Sequence, residues 1–162
     1  MKYIAICPKG LEDVNQKEIK EILKVSSEIL VPGRVSFETK NIQKFLEKTQ
    51  SSIKVYELKQ SCTKHEEVKT FPLESPFRVI CSKKDEYPTP SQEIEKIIGE
   101  KFFEQGNKVD LKNPKTIVFL DITEGKIFVG RDLTPILLSK RAYRIKIHNQ
   151  SLNACVAYAI VR

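Results

Sequence analysis

No stretch of this 162-residue sequence approaches the ~20 consecutive apolar residues that cross a bilayer. The N-terminus, Met1-Lys2-Tyr3-Ile4-Ala5-Ile6-Cys7-Pro8, is too short and turns polar too soon for a secretory signal. A membrane-surface helix needs a strongly basic amphipathic stretch, and none is present. These features predict a soluble, cytoplasmic protein with no membrane partner. The four cysteines, Cys7, Cys62, Cys81 and Cys155, form no Cys-x-x-Cys pair, and histidine occurs only at His65 and His148. Cys62-Thr-Lys-His65 has the spacing of half a metal site. Zinc needs four ligands, however, and only His148 and distant cysteines remain, so no metal is expected. Cys81 and Cys155 fall at apolar positions and read as small core residues, and a cytosolic chain keeps all four thiols reduced. No Ser/His/Asp set, paired-carboxylate site or phosphate loop stands out. The stretch Gly125-Lys-Ile-Phe-Val-Gly130 carries bulky residues where a nucleotide cofactor needs close backbone approach.

What is present is enough apolar material for a core, at 40% of the residues, together with 28 Lys+Arg against 21 Asp+Glu. The positive excess is uneven. Residues 1–65 balance at +4, residues 66–130 at −2 and residues 131–162 at +5. A basic tail behind a near-neutral middle suggests a polyanionic partner, and nucleic acid is the first candidate.

Apolar periodicity predicts a strand over residues 2–6 and a helix from about Leu11 to Lys24, with acids in its first turn. A strand at Glu28–Val31, a Pro32-Gly33 turn and a strand at Arg34–Glu38 follow. Asn41 caps a helix carrying Ile42, Phe45 and Leu46, and Ile53–Leu58 is a fourth strand. Strand, helix, strand, strand, helix, strand is the ferredoxin-like pattern, with helices on one face of an antiparallel sheet. Residues 65–76, polar with Pro72 and Pro76, read as a linker. A second unit then opens with a strand at Phe77–Cys81. Thr89-Pro90-Ser91-Gln92 reads as a capping box with proline at the first helical position, ahead of a helix with Ile94, Ile97, Ile98 and Phe102 on one face. Gly99 inside that helix is read as a sign of close packing against a sheet. Thr116–Ile122 suits a central strand buried on both faces, and Gly125-Lys126 turns into its antiparallel partner. Near the end, Leu152, Cys155, Val156, Ala159 and Ile160 fall at helical spacing, with Ser151 or Asn149 as cap. That helix is expected to begin, or lead into, a further domain.

Several motifs carry a family resemblance. Pro76-Phe77-Arg78-Val79, Lys83-Lys84, Ser91 with the Ile94–Gly99 helix, and Val109-Asp110-Leu111-Lys112-Asn113-Pro114 resemble the THUMP domain, an RNA-binding module of tRNA-modifying enzymes. Cys7-Pro-Lys-Gly10-Leu11-Glu12 and Pro32-Gly33-Arg34-Val35-Ser36-Phe37 resemble the ferredoxin-like domain that precedes THUMP in RNA guanine-N2 methyltransferases. Leu138-Ser-Lys-Arg141-Ala-Tyr143-Arg144 is similar to those enzymes' linker into a Rossmann-like S-adenosylmethionine domain. The resemblance implies an α+β chain: a ferredoxin-like domain at 1–65, a THUMP domain at 66–140, and a linker with the start of a helix of an absent catalytic domain at 141–162. It implies a non-catalytic fragment that grips the tRNA acceptor end and its 3′ CCA. S-adenosylmethionine would be held only by the missing part, because the Asp/Asn-Pro-Pro-Tyr/Phe motif of such enzymes does not occur here. Ribosomal RNA is the alternative substrate.

The resemblance also implies the RNA-binding residues. Lys83 and Lys84 match the family's basic positions. Arg78 is either a contact or a solvent-facing strand residue. Arg131, Lys140, Arg141, Arg144 and Lys146 make up the basic tail, with Tyr143 offering a stacking face. Lys112 either meets RNA or caps a turn, and Arg34 either meets RNA or packs between the units. Phe77 and Phe119 read as core. Alternatives are the same module on a 4-thiouridine synthase or an RNA deaminase, a free-standing RNA-binding accessory protein, or a protein-interaction domain meeting acidic partners.

Overall fold

The computed structural model describes residues 1–140 and 152–162. The elements are β1 (Lys2–Ile6), α1 (Glu12–Leu23), β2 (Ser27–Val31), β3 (Arg34–Glu38), α2 (Ile42–Lys48), β4 (Lys54–Cys62), a 3₁₀ turn (His65–Glu67), β5 (Phe77–Lys83), α3 (Ser91–Glu104), β6 (Thr116–Thr123), β7 (Lys126–Asp132) and α4 (Ala154–Ile160). The chain divides into two compact units: Met1–Tyr56 with Leu133–Arg162, and Glu57–Asp132. The divisions fall at 56/57 and 132/133, where the sequence suggested 65/66 and 140/141. β4 explains the first difference, being one continuous nine-residue strand that starts in unit 1 and ends in unit 2.

Unit 1 has the expected order βαββαβ, with strands arranged β2-β3-β1-β4. β1 and β2 both pair antiparallel with β3. Tyr3 and Ala5 of β1, and Cys7 just beyond it, alternate toward one face. There they meet Val35 and Phe37 of β3, Ile19 of α1, Phe45 of α2 and Val55 of β4. Period two from the strands and period 3.6 from the helices thus converge on one core. Asn41 caps α2 as expected, its side chain accepting from the Lys44 amide. The β2–β3 turn needs its glycine. Gly33 has φ of +78°, and a Cβ there would sit 3.0 Å from the Cys7 carbonyl oxygen. The Glu12 carboxylate accepts from the amides of Gly10 (3.0 Å) and Gly33 (2.6 Å), while the Cys7 amide donates to the Gly33 carbonyl at 3.0 Å. The two N-terminal motifs are therefore one interlocked turn structure.

Unit 2 arranges its strands β4-β7-β6-β5, with β5 parallel and β7 antiparallel to β6. β6 is internal and almost wholly buried, as its apolar run predicted. The Glu124-Gly125 turn has positive φ at both residues, the requirement of a tight type I′ hairpin. Ile94, Ile98 and Phe102 of α3 pack on Phe77, Val79, Val118, Leu120 and Val129.

Four readings need correction. Residues 65–76 are no open linker: Val68 is buried in the unit 2 core, with Phe71 and Leu73 packed against it. Its prolines bend a segment that still supplies apolar side chains. The capping box does not form. Pro90 itself occupies the N-cap of α3 with no side-chain cap bond, and the helix starts one residue later than proposed. Gly99 is not demanded by packing, since an added Cβ would meet only Val79 Cγ2 at an ordinary 3.9 Å. α4 starts at Ala154 with Asn153 as its cap, so Leu152 lies outside it and is exposed. Ser151 and Asn149 lie outside the described residues. α4 belongs to unit 1, where Ala154 and Cys155 are buried and Arg162, just past its end, pairs with Glu21 of α1.

Candidate nucleic-acid interface

The cations singled out from sequence have different fates. Lys83 is half-buried, and its Nζ donates to the carbonyls of Tyr87 and Thr89, both at 3.2 Å. Arg131 donates to Glu57 at 2.9 Å, and Lys59 reaches the other oxygen of the same carboxylate at 2.7 Å. Glu57 is buried, so this triad fixes β4 against β7 and offsets both cations. Arg34 is only 3% exposed and its guanidinium donates to the Gly33 carbonyl at 3.1 Å, which puts it out of a phosphate's reach. Lys84, Lys112 and Lys140 are exposed. Arg141, Tyr143, Arg144 and Lys146 lie outside the described residues. Phe77 and Phe119 are buried, as read.

The exposed Arg78 stands on β5 at the end of the unit 2 sheet and donates to the Leu111 carbonyl at 3.2 Å. It borders a groove of about 420 Å³ between β5 and α3, together with Lys96, Gly99, Phe103, Val109 and Leu111. Phe103 is 61% exposed. Sequence reasoning missed it because Phe103 follows Phe102, which takes the core-facing helical position. An aromatic in the solvent-facing position of an amphipathic helix is the signal that could have found it. An exposed ring beside an arginine and a lysine offers a base a stacking face and a phosphate two cations, set among the carboxylates of Glu95 and Glu100 that also line the groove.

The Val109–Pro114 motif shapes one rim of this groove. Val109 bridges Phe77, whose amide donates to the Lys108 carbonyl while its carbonyl accepts from the Asp110 amide. The Asp110 carboxylate accepts from the amides of Asn113 (3.0 Å) and Lys112 (2.8 Å). Those bonds hold its carboxyl below the ordinary value of 3.8. A depressed carboxyl supports the fold above its unfolded pKa and loses that support as pH falls through the lower folded value. The Lys112 and Asn113 amide resonances are therefore expected to titrate with a midpoint below 3.8. A midpoint at or above it would contradict this turn.

Burial, with Glu12 adding, pushes the Cys7 thiol up to about 12, and burial likewise raises Cys62 and Cys81. These thiols stay protonated at neutral pH, a poor state for a nucleophile. Among the described residues no three His, Cys, Asp or Glu gather as a metal set, and no helix is long and apolar enough to cross a membrane. The Gly125–Gly130 segment does not offer the close backbone approach that S-adenosylmethionine needs. Gly125–Gly130 is a hairpin whose Ile127, Phe128 and Val129 are buried, leaving no glycine-rich turn at a helix start.

Comparison with known proteins agrees with this geometry. Residues 54–132 match the model of the THUMP domain. A tRNA (guanine(6)-N2)-methyltransferase of Thermus thermophilus is 34% identical over 87 residues, which cover 53% of this chain and 26% of that protein. The crystal structure of TrmN from Thermus thermophilus shares the fold, with a TM-score of 0.71 at 24% identity, over 100% of this chain and 54% of that one. A 4-thiouridine synthetase solved as an RNA complex with bound ATP shares it with a TM-score of 0.60 at 16% identity, over 81% of this chain and 40% of that one. The chain thus spans about a quarter of the curated relative and about half of the TrmN chain. The groove, the Val109–Pro114 turn and the Phe77–Arg78 edge all lie in the matched segment, and residues 54–132 of this chain are a THUMP domain.

Proposed function

We propose that this chain is the RNA-binding part of an S-adenosylmethionine-dependent tRNA guanine-N2 methyltransferase, holding the acceptor end with its 3′ CCA while a further domain transfers the methyl group. The observation that carries the reading is the β5–α3 groove of the THUMP unit, where exposed Phe103 stands beside Arg78 and Lys96. Unpaired RNA ends are recognised by stacking on aromatic faces with cations on the backbone, and this groove supplies both. Lys84 and Lys112, exposed in the same unit, add countercharge, while the exposed Lys140 belongs to unit 1. The similarity to a tRNA (guanine(6)-N2)-methyltransferase favours that enzyme class. The shared fold of a 4-thiouridine synthetase keeps the same module on a different enzyme as the second reading.

Binding of tRNA with and without its CCA end tests the proposal. The intact end is expected to bind more tightly, and Phe103→Ala is expected to weaken it by about 1–3 kcal/mol while leaving the trimmed tRNA unaffected. Equal binding of both tRNAs would remove the end-recognition claim.

A further inference from the structure

Counted from sequence, α1 with its C-cap looks slightly acidic: Glu12, Asp13, Glu18 and Glu21 against Lys17, Lys20 and Lys24. The fold changes that balance. Glu12 is held by the amides of Gly10 and Gly33. Glu18 is 3% exposed and turned into the 49–51 loop, accepting from Thr49 Oγ1 and the amides of Gln50 and Ser51. Glu21, a helical neighbour of both Lys17 and Lys24, is taken by Arg162. The three lysines are exposed and carry no ion pair or side-chain hydrogen bond among the described residues.

They converge on a concave surface of about 560 Å³ at the C-terminal end of α1, with Gln16, Ser26 and Ser27 beside them. Among the described residues Asp13 is the one carboxylate lining it. Gln16 donates to the Ser27 carbonyl at 2.8 Å, which braces the helix end against β2. Lys17 to Lys24 spans about 10 Å along the helix axis. Over that length one strand of a duplex presents roughly three phosphates. Among the described residues no aromatic side chain lines the surface, which offers charge and hydroxyls.

We infer that the Lys17–Lys20–Lys24 face of unit 1 is a second RNA contact that neutralises phosphates of a base-paired stem without reading its bases. This rests on the RNA-binding reading above, and it assigns to the N-terminal unit a contact independent of the Phe103 groove. The shared chemistry is phosphate, so the test must separate a stem from a free anion.

The test uses the full chain with Lys17→Gln, Lys20→Gln and Lys24→Asn. Asparagine is chosen at Lys24 because that residue has φ of +59°, which asparagine tolerates. Titrating tRNA at about 0.15 M salt, the triple variant is expected to bind on the order of a hundredfold more weakly, with the salt slope flattened by about 2–3 units. Lys20→Gln alone is expected to lose about fivefold, which keeps the test valid if the triple variant folds poorly. Unchanged affinity and slope in these variants, with the wild type binding tRNA, would overturn this inference alone. A wild type that ignores tRNA would overturn both readings. Displacement of tRNA by millimolar inorganic phosphate at matched ionic strength would mark a small-anion pocket and overturn the stem assignment.

Discussion

Glu18→Ala is expected to lower the unfolding free energy by about 3–5 kcal/mol, because one buried carboxylate accepts from four donors of the 49–51 loop. Its oxygens accept from Thr49 Oγ1 at 2.9 Å, the Gln50 amide at 2.7 Å, the Ser51 amide at 3.0 Å and the Ser51 hydroxyl. Thr49, Ser51 and Ser52 are all buried, and Asn15 donates to both serine hydroxyls, so the cluster is sealed. A buried donor left without a partner costs about 1–3 kcal/mol, and the buried Ser51 gives Glu18 both its amide and its hydroxyl. For a chain of this size the loss corresponds to a melting temperature lower by about 6–20 °C, read by calorimetry or circular dichroism. A drop under about 1 kcal/mol would show that water replaces the carboxylate and that the cluster is not closed.

Phe77→Ala is the second large effect, expected at about 3–5 kcal/mol in unit 2. The ring is fully buried, 5.7 Å from that of Phe102, in a core that includes Val79, Ile98 and Leu120. The residue's own amide and carbonyl also anchor the 108–110 segment that rims the groove. Denaturant unfolding of the variant measures the cost. Hydrogen exchange is expected to show lost protection in β5 and at Asp110, with β1 and β3 unchanged. Equal loss of protection in β1 and β3 would mean that the two units do not open separately.

These side chains show what the sequence displayed and what it concealed. Period-two alternation in β1 and β3, the Asn41 cap and the continuous apolar run of β6 announced their elements directly, because each is a local pattern. The site was less legible because a cation's availability is a tertiary property. Lys83 looks free in sequence, yet two carbonyls 4 and 6 residues on hold its amine. Arg131 looks like part of a basic tail, yet a buried Glu57, 74 residues earlier, holds it. Lys17, Lys20 and Lys24 look neutralised by the acids around them, and only the fold shows Glu12, Glu18 and Glu21 engaged elsewhere. Phe103 was hidden behind its neighbour Phe102, since an adjacent aromatic pair does not say which ring faces solvent. The packing of α4 was hidden for a related reason: an apolar stripe predicts that a helix packs, but not that Ala154 and Cys155 are buried within unit 1.

The most direct test of the central claim is the affinity of the intact chain for tRNA measured across salt concentration. Lys17, Lys20 and Lys24 of unit 1 and Arg78, Lys84, Lys96 and Lys112 of unit 2 are exposed cations outside the ion pairs described above, from which the phosphate contacts are drawn. If about five phosphates are neutralised, log K is predicted to fall against log salt with a slope of about −3.5 to −4.5. A slope near zero, or no binding at low ionic strength, would contradict the account.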